Sequence, residues 1–332
     1  MNSRTQHPRG TMRAITHLRY GGPEVLSLTE VETPVTGGSE VLIRVGAVGV
    51  SAGDILLMRG EPRMVRLAFG LRRPRQPTPG RDVAGVVEAV GAQVTRFRVG
   101  DAVYAESNQG GYAEFAAVQE RFVALRPRIL DTVHASAVPV SGTTALQGLR
   151  LAGLAPGQHV LVNGASGGVG GFAVQLAKAM GAEVTGVCRA AKADHVRAIG
   201  ADHVIDYTSE DFTVGGARYD VIFDLVADHP LGRVRRSLTR HGTLLVAAGE
   251  GGKVFGPFGR IIRASTMSLF VSQQLRPLAT RRNGGDLAEL TRRIDAGEVV
   301  PVIDEVFPLE RAAEAITRLE SGEVRGKVVI TV

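Results

Sequence analysis

The reading of the fold turns on His159-Val-Leu-Val-Asn-Gly-Ala-Ser-Gly-Gly-Val-Gly-Gly-Phe-Ala-Val-Gln-Leu-Ala-Lys178. An apolar strand runs into a Gly-rich turn that opens directly onto an amphipathic helix, and in that context such a turn indicates dinucleotide binding. In the G-x-G-x-x-G pattern the first Gly allows the tight turn, the second lets backbone approach a pyrophosphate, and the third lets helix and strand pack closely. Here those positions are Ala165, Gly167 and Gly170. The amides around Ser166, Gly168 and Val169 then sit at a helix N-terminus, where unpaired N–H groups and the helix dipole favour a diphosphate.

The end of the following strand chooses the cofactor. An NAD site places an acid there against the ribose 2′-hydroxyl, whereas an NADP site places cations against a 2′-phosphate. Glu183-Val-Thr-Gly-Val-Cys-Arg-Ala-Ala-Lys192 offers Cys188 and Arg189 at that point and no acid. Arg189 and Lys192 can supply charge-assisted hydrogen bonds, and Tyr207 after the third strand can add its hydroxyl. NADPH is the expected cofactor, with Cys188 a small residue at the adenosine pocket.

Outward from the turn, strands and helices alternate over residues 137–275, which predicts a doubly wound parallel sheet of the Rossmann kind. Residues 12–136 consist of short β-branched runs broken by Gly and Pro, among them Glu40–Val50 and Val83–Val90, and predict an irregular β domain. Residues 276–332 are too few to fold alone and are expected to return to the first domain. The fold class is therefore α/β, with Met12 as the expected beginning of the folded chain.

Composition supports an ordinary globular chain of about two domains: 332 residues, 44% hydrophobic and 22% charged. A single cysteine, Cys188, excludes a disulfide framework and any Cys-rich structural zinc site, so a reducing, cytoplasmic setting is expected. The formal charge of +6 comes almost wholly from arginine spread along the chain, and without a recognition motif it gives no expectation of nucleic-acid binding. Between Glu61 and Gly80 stand five arginines, at positions 63, 66, 72, 73 and 75, with four prolines. This segment reads as a solvated loop, with a basic lid for an anionic substrate, or contact with a lipid surface through Arg63–Arg75, as the sharper alternative.

Several further motifs complete the pattern: Pro79-Gly-Arg-Asp-Val-Ala-Gly-Val-Val-Glu-Ala-Val-Gly91, Val99-Gly-Asp-Ala-Val-Tyr104, Gly110-Gly-Tyr-Ala-Glu-Phe115, Ser141-Gly-Thr-Thr-Ala145, Gly200-Ala-Asp-His-Val-Ile-Asp-Tyr207, Tyr219-Asp-Val-Ile-Phe-Asp224 and Gly326-Lys-Val-Val329. Together with the Ala165–Gly171 turn they make the chain, from Met12 to Val332, resemble the medium-chain dehydrogenase/reductase family, in its zinc-independent, zeta-crystallin-like quinone oxidoreductase branch. The resemblance implies a GroES-like β domain with the substrate site, a Rossmann domain with NAD(P), and a cleft between them. Where zinc-dependent members hold their metal this chain has Ser51, Arg81 and Val140, so no metal is expected.

Loss of that Lewis acid favours conjugated acceptors, and the implied reaction is hydride transfer to a quinone or an α,β-unsaturated carbonyl. An enoyl-thioester or lipid-enone reductase, or a weakly catalytic NADPH-sensing or lipid-surface-binding homologue, is the alternative. By resemblance the catalytic candidates are Ser51 and Asp54, on the first-domain loop Val50–Gly60, and Thr144 near the nicotinamide. Ser51 stands where Asn is frequent and Leu56 near a position often held by Tyr. Cofactor contacts carried over in the same way are Gly249, Phe270, Val271, Ser272 and Lys327. The family's edge-strand pairing, near Met267–Val271, implies a homodimer.

Overall fold

In the computed structural model, which describes residues 10–246 and 258–332, β-branched runs in the N-terminal third build a sheet whose register decides where the charged residues fall. Its strands, in spatial order, are Ile303–Pro308, Lys327–Thr331, Glu40–Val50, Asp82–Val90, Ala102–Glu106 and Val123–Leu125, with Phe115–Gln119 also pairing onto Glu40–Val50. Antiparallel register sets Val50 opposite Val328, Gly49 opposite Asp82, and Asp82 opposite Glu106. Four strand ends therefore meet along one rim of the sheet, and Ser51, Arg81, Asp82, Glu106 and Lys327 come together from distant parts of the sequence. Val41, Ile43, Val48, Val83, Val103, Tyr112, Val328 and Ile330 fill the core beneath.

This first compact unit runs to Thr143 and takes in Arg282–Gly297 and Pro301–Val332. The second unit is Thr144–Arg281 with Glu298–Val300. Both divisions fall a few residues beyond 136/137 and 275/276. The helix Pro139–Ala152 starts on the first unit, where Val140 N–H donates to Asp82, before its later turns enter the second.

The second unit carries a six-stranded, all-parallel sheet in the order His203–Asp206, Glu183–Cys188, His159–Asn163, Tyr219–Asp224, Leu238–Val246, Gln274–Pro277. Chain order reverses on either side of His159–Asn163, and such a switch point opens a ligand crevice at the carboxyl ends of the strands.

Three local expectations are corrected. The segment 61–80 is not wholly loop: it contains the short helix Val65–Phe69, and most of Val50–Gly60 is the helix Ala52–Arg59. The edge strand of the parallel sheet is Gln274–Pro277 rather than Met267–Val271, because the helix Phe258–Ser268 occupies the earlier stretch. No helix among the described residues is long and apolar enough to cross a membrane.

Candidate active site

The strand His159–Asn163 delivers the chain to Gly164, whose φ of +89° lies in the left-handed region that a side chain disfavours. The turn glycine is thus Gly164, one residue ahead of the position assigned from the motif. Ala165 is buried, and its amide donates to Val187 O at 3.0 Å. A Cβ at Gly170 would lie 2.1 Å from Gly164 O, so helix and turn meet there without room for any side chain. At Gly167, which caps the helix Gly168–Ala179, a Cβ would meet Gly164 O at 3.5 Å, an ordinary contact. Packing does not demand a glycine at 167, and its bare backbone leaves space beside the first-turn amides of Gly168, Val169 and Gly170, which lack intrahelical acceptors. With Ser166 in the same turn, these residues fit a diphosphate.

At the end of the next strand, Arg189 Nε donates to Tyr207 Oη at 2.5 Å, so two of the residues expected at a 2′-phosphate are brought together. Arg189 and Tyr207 are exposed, whereas Lys192 is largely buried at the start of the helix Ala193–Ala198. Cys188 is buried, and burial followed by the nearby Asp206 charge pushes its thiol pKa up, away from a reactive thiolate. Asp206 was not foreseen here. It lies opposite Cys188 on the neighbouring strand, and amide and hydroxyl donors from Thr208, with the Ala190 amide, hold its pKa below the ordinary value.

Below these residues a cavity of about 250 Å³ is lined by Asn163, Val187, Tyr207, Phe212, Asp228 and His229, among others. Asn163, in its lining, belongs to a polar frame built on Asp224, which is fully buried. Asp224 accepts from Asn163 Nδ2 at 2.9 Å, Ala227 N at 2.9 Å and Arg260 at 2.8 Å. Those bonds hold Ala227 at a φ of +63°, unusual for a residue with a side chain.

In the first unit the rim of the sheet concentrates ionisable groups. Ser51 N-caps the helix Ala52–Arg59; its amide and its hydroxyl both donate to Asp54 Oδ2, each at 2.9 Å. Asp54 Oδ1 and Tyr112 Oη are buried and without hydrogen-bond partners. Burial, and then the neighbouring Asp82 charge, push the Asp54 pKa up to about 6, against the pull of Arg81. Burial and the Asp54 and Asp82 charges likewise hold the Tyr112 phenol protonated, its pKa well above the ordinary value. Asp82 pairs with Lys327 Nζ at 2.8 Å, both buried, and Arg81 pairs with Glu106.

Lys327, expected at the cofactor, is thus held by Asp82. Thr144 is half-buried on the helix Pro139–Ala152 next to Thr143, whose hydroxyl donates to Pro139 O at 2.6 Å. Phe270, Val271 and Ser272 follow the helix Phe258–Ser268, with Phe270 strongly exposed. Gly249 lies outside the described residues. Ser51, Arg81 and Val140 do not make a metal site: a hydroxyl already bonded to a carboxylate, a permanently charged guanidinium and an aliphatic side chain offer no ligand set for zinc. Sequence reasoning missed Asp82 and Tyr112, although an acid opening the apolar run Val83–Val90 was a signal that a buried partner had to exist.

Residues 37–128 match the family described as Alcohol dehydrogenase GroES-like domain, and residues 199–330 match Zinc-binding dehydrogenase. A quinone oxidoreductase of Sus scrofa is 33% identical over 92% of this chain and 92% of its own length. An NADPH-dependent alkenal/one oxidoreductase of Arabidopsis thaliana, chloroplastic, is 32% identical over 96% of this chain and 79% of its own. The solved quinone oxidoreductase from Coxiella burnetii superposes with a TM-score of 0.86 at 27% identity, covering 97% of this chain and all of that one.

Proposed function

We propose, from the premise that the chain belongs to the medium-chain dehydrogenase/reductase family in its zeta-crystallin-like quinone oxidoreductase branch, that it reduces quinones and α,β-unsaturated carbonyls with NADPH and without zinc. The observation that carries the reading is that relatives named for exactly those two acceptor classes align with nearly the whole chain. NADPH, when bound, supplies a hydride. The amides of Gly168, Val169 and Gly170 hold its diphosphate, Arg189 with Tyr207 and Lys192 take a 2′-phosphate, and Asp206 is the group that opposes this choice by its negative charge. The zinc-free assignment rests on the donor chemistry of Ser51, Arg81 and Val140.

Reduction of a conjugated carbonyl leaves an oxyanion that must take up a proton. When Asp54 is protonated at Oδ2 its O–H donates to Ser51 Oγ, the reverse of the bond to the ionised carboxylate, and Ser51 Oγ–H is then free to meet the oxyanion, with Asp54 as the store behind it. A carboxyl with a pKa of about 6 is protonated in a useful fraction near neutrality. As Ser51 gives its proton to the oxyanion, it recovers one from Asp54, which is left ionised beside Arg81. Burial keeps this carboxyl dry, and burial with the Asp82 charge keeps its pKa high.

The test is NADPH oxidation by chelator-treated protein, with an ortho-quinone and a short 2-alkenal compared under matched conditions. Turnover without metal is expected, and the faster acceptor identifies the preferred class. Silence with both, despite NADPH binding, overturns the reading in favour of a lipid-linked enone or a non-catalytic nucleotide sensor.

A further inference from the structure

The function derived above makes no use of the segment 61–80, yet its charge is all of one sign from Pro62 onward. From Pro62 to Gly80 there are five arginines and no acid. None of the five meets a carboxylate among the described residues. Arg66 turns inward, its guanidinium 4.4 Å above the Tyr20 ring and its Nε donating to Gly60 O at 2.9 Å. Tyr20 Oη donates to Gly70 O at 2.5 Å, and Arg75 reaches Ala68 O at 3.2 Å. These bonds pin the segment, so its remaining side chains are presented from a fixed backbone.

What is presented is both cationic and apolar. Arg63, Arg72 and Arg73 are exposed. Between and beside them stand Met64 at 37% exposure, Leu67 at 65% and Leu71 at 67%, with Leu56 at 48% in the preceding helix and Leu18 at 77% two residues before Tyr20. Long apolar side chains interleaved with arginines are the composition of an interfacial anchor. The hydrocarbon ends enter the acyl boundary while guanidinium groups hold lipid phosphates bidentately. A polyanion without an apolar layer would engage the arginines and leave the leucines in water. A small anionic substrate calls for one or two converging cations, not three directed outward from an exposed segment.

We propose that this face, centred on Leu67, Leu71, Arg63, Arg72 and Arg73, docks the protein onto bilayers containing anionic glycerophospholipids. Each arginine near an anionic leaflet raises partitioning about fivefold, so three contribute on the order of 100-fold. Burying the two leucines adds a salt-insensitive factor of about ten or more.

The experiment is co-sedimentation of the full chain with phosphatidylcholine vesicles, with and without a third phosphatidylserine, at low and high salt. Four proteins are compared: wild type, Arg63→Ser/Arg72→Ser/Arg73→Ser, Leu67→Ser/Leu71→Ser, and a control of equal charge, Arg128→Ser/Arg218→Ser/Arg240→Ser. Far-UV circular dichroism and turnover of a water-soluble quinone verify that each remains folded. The proposal expects anionic-specific, salt-sensitive binding, lost on the order of 100-fold in the first triple variant, about tenfold in the leucine pair and little in the control. No sedimentation at low salt, or equal loss in both triple variants, overturns it; the latter would make the binding a property of the +6 net charge. Unchanged vesicle binding by the leucine pair, with a DNA duplex competing as well as the vesicles, overturns it in favour of a polyanion site.

Discussion

Asp54→Asn should make this protein more stable and less active, and the size of the first effect follows from where the carboxyl sits. The side chain is buried, and its pKa stands at about 6 against 3.8 in an unperturbed chain. The native state therefore holds the proton more tightly than the unfolded state, which takes one up on folding between those two values. Stability falls as pH rises through that window and stays lowered above about 6, by ~3 kcal/mol for a displacement of this size. Asparagine keeps a carbonyl oxygen for the two Ser51 donors and removes the buried charge, although bonds to a neutral acceptor are weaker. The net expectation is a variant ~1–3 kcal/mol more stable than wild type at pH 8, with the difference shrinking to nothing near pH 4. Because the chain has no tryptophan, unfolding is followed in urea by far-UV circular dichroism, at half-unit steps from pH 4 to pH 8. Taking the difference between the two proteins cancels every other titrating group. A difference that is constant over this range, or that declines as pH rises, refutes the burial argument. Turnover by the same variant should drop by about 10²- to 10⁴-fold as the proton store is removed.

Other consequences are equally direct. Gly170→Ala is expected to destabilise by ~1–3 kcal/mol and to abolish NADPH binding, because its methyl would overlap Gly164 O; thermal unfolding and a nucleotide fluorescence titration measure both. Gly167→Ala should stay within ~1 kcal/mol of wild type in stability and yet bind NADPH at least tenfold more weakly, so equal behaviour of the two alanines would rule out a distinct role for Gly167. Lys327→Met strands the buried Asp82 carboxylate and should destabilise by ~3–5 kcal/mol, with much of that recovered when Asp82→Asn is added. Arg189→Ser with Tyr207→Phe should raise the KM for NADPH about tenfold or more while leaving NADH unaffected, and a parallel rise for both would place these residues away from any 2′-phosphate.

The Gly-rich turn of the second unit was legible because its determinants are local. A strand, five glycines and a helix lie within twenty residues, and Gly164 and Gly170 each report a backbone requirement. The Ser51–Asp54 cluster of the first unit was legible only as a resemblance. Ser51 and Asp54 were named, but the length and form of their helix were not, since Val50–Gly60 carries two glycines and no strong periodicity. What makes Asp54 unusual is its burial and then the charge of Asp82, which antiparallel register brings to the same rim, with Arg81 pulling the other way. Lys327 and Asp82 are 245 residues apart, and nothing in either neighbourhood names the other. Asp206 escaped for the same reason: cofactor choice was read along one strand, while the opposing charge approaches from the strand beside it. The turn residue was displaced by one because Ala165 fits the consensus spacing, whereas the left-handed conformation falls on Gly164.

The ion pair between Asp82 and Lys327 also bears on the order in which the molecule is made. The parallel sheet occupies an almost continuous stretch, Thr144–Arg281, and domains fold as units while the ribosome is still elongating. The β domain is interrupted: its strand Glu40–Val50 waits for Lys327–Thr331, which leaves the ribosome only after the whole of the second unit. Until that strand arrives, Asp82 has no counter-charge and the sheet has an open edge next to Val50. The nucleotide-binding unit can therefore form before the unit that carries Ser51 and Asp54, and a nascent chain is expected to hold NADPH before it can reduce anything with it.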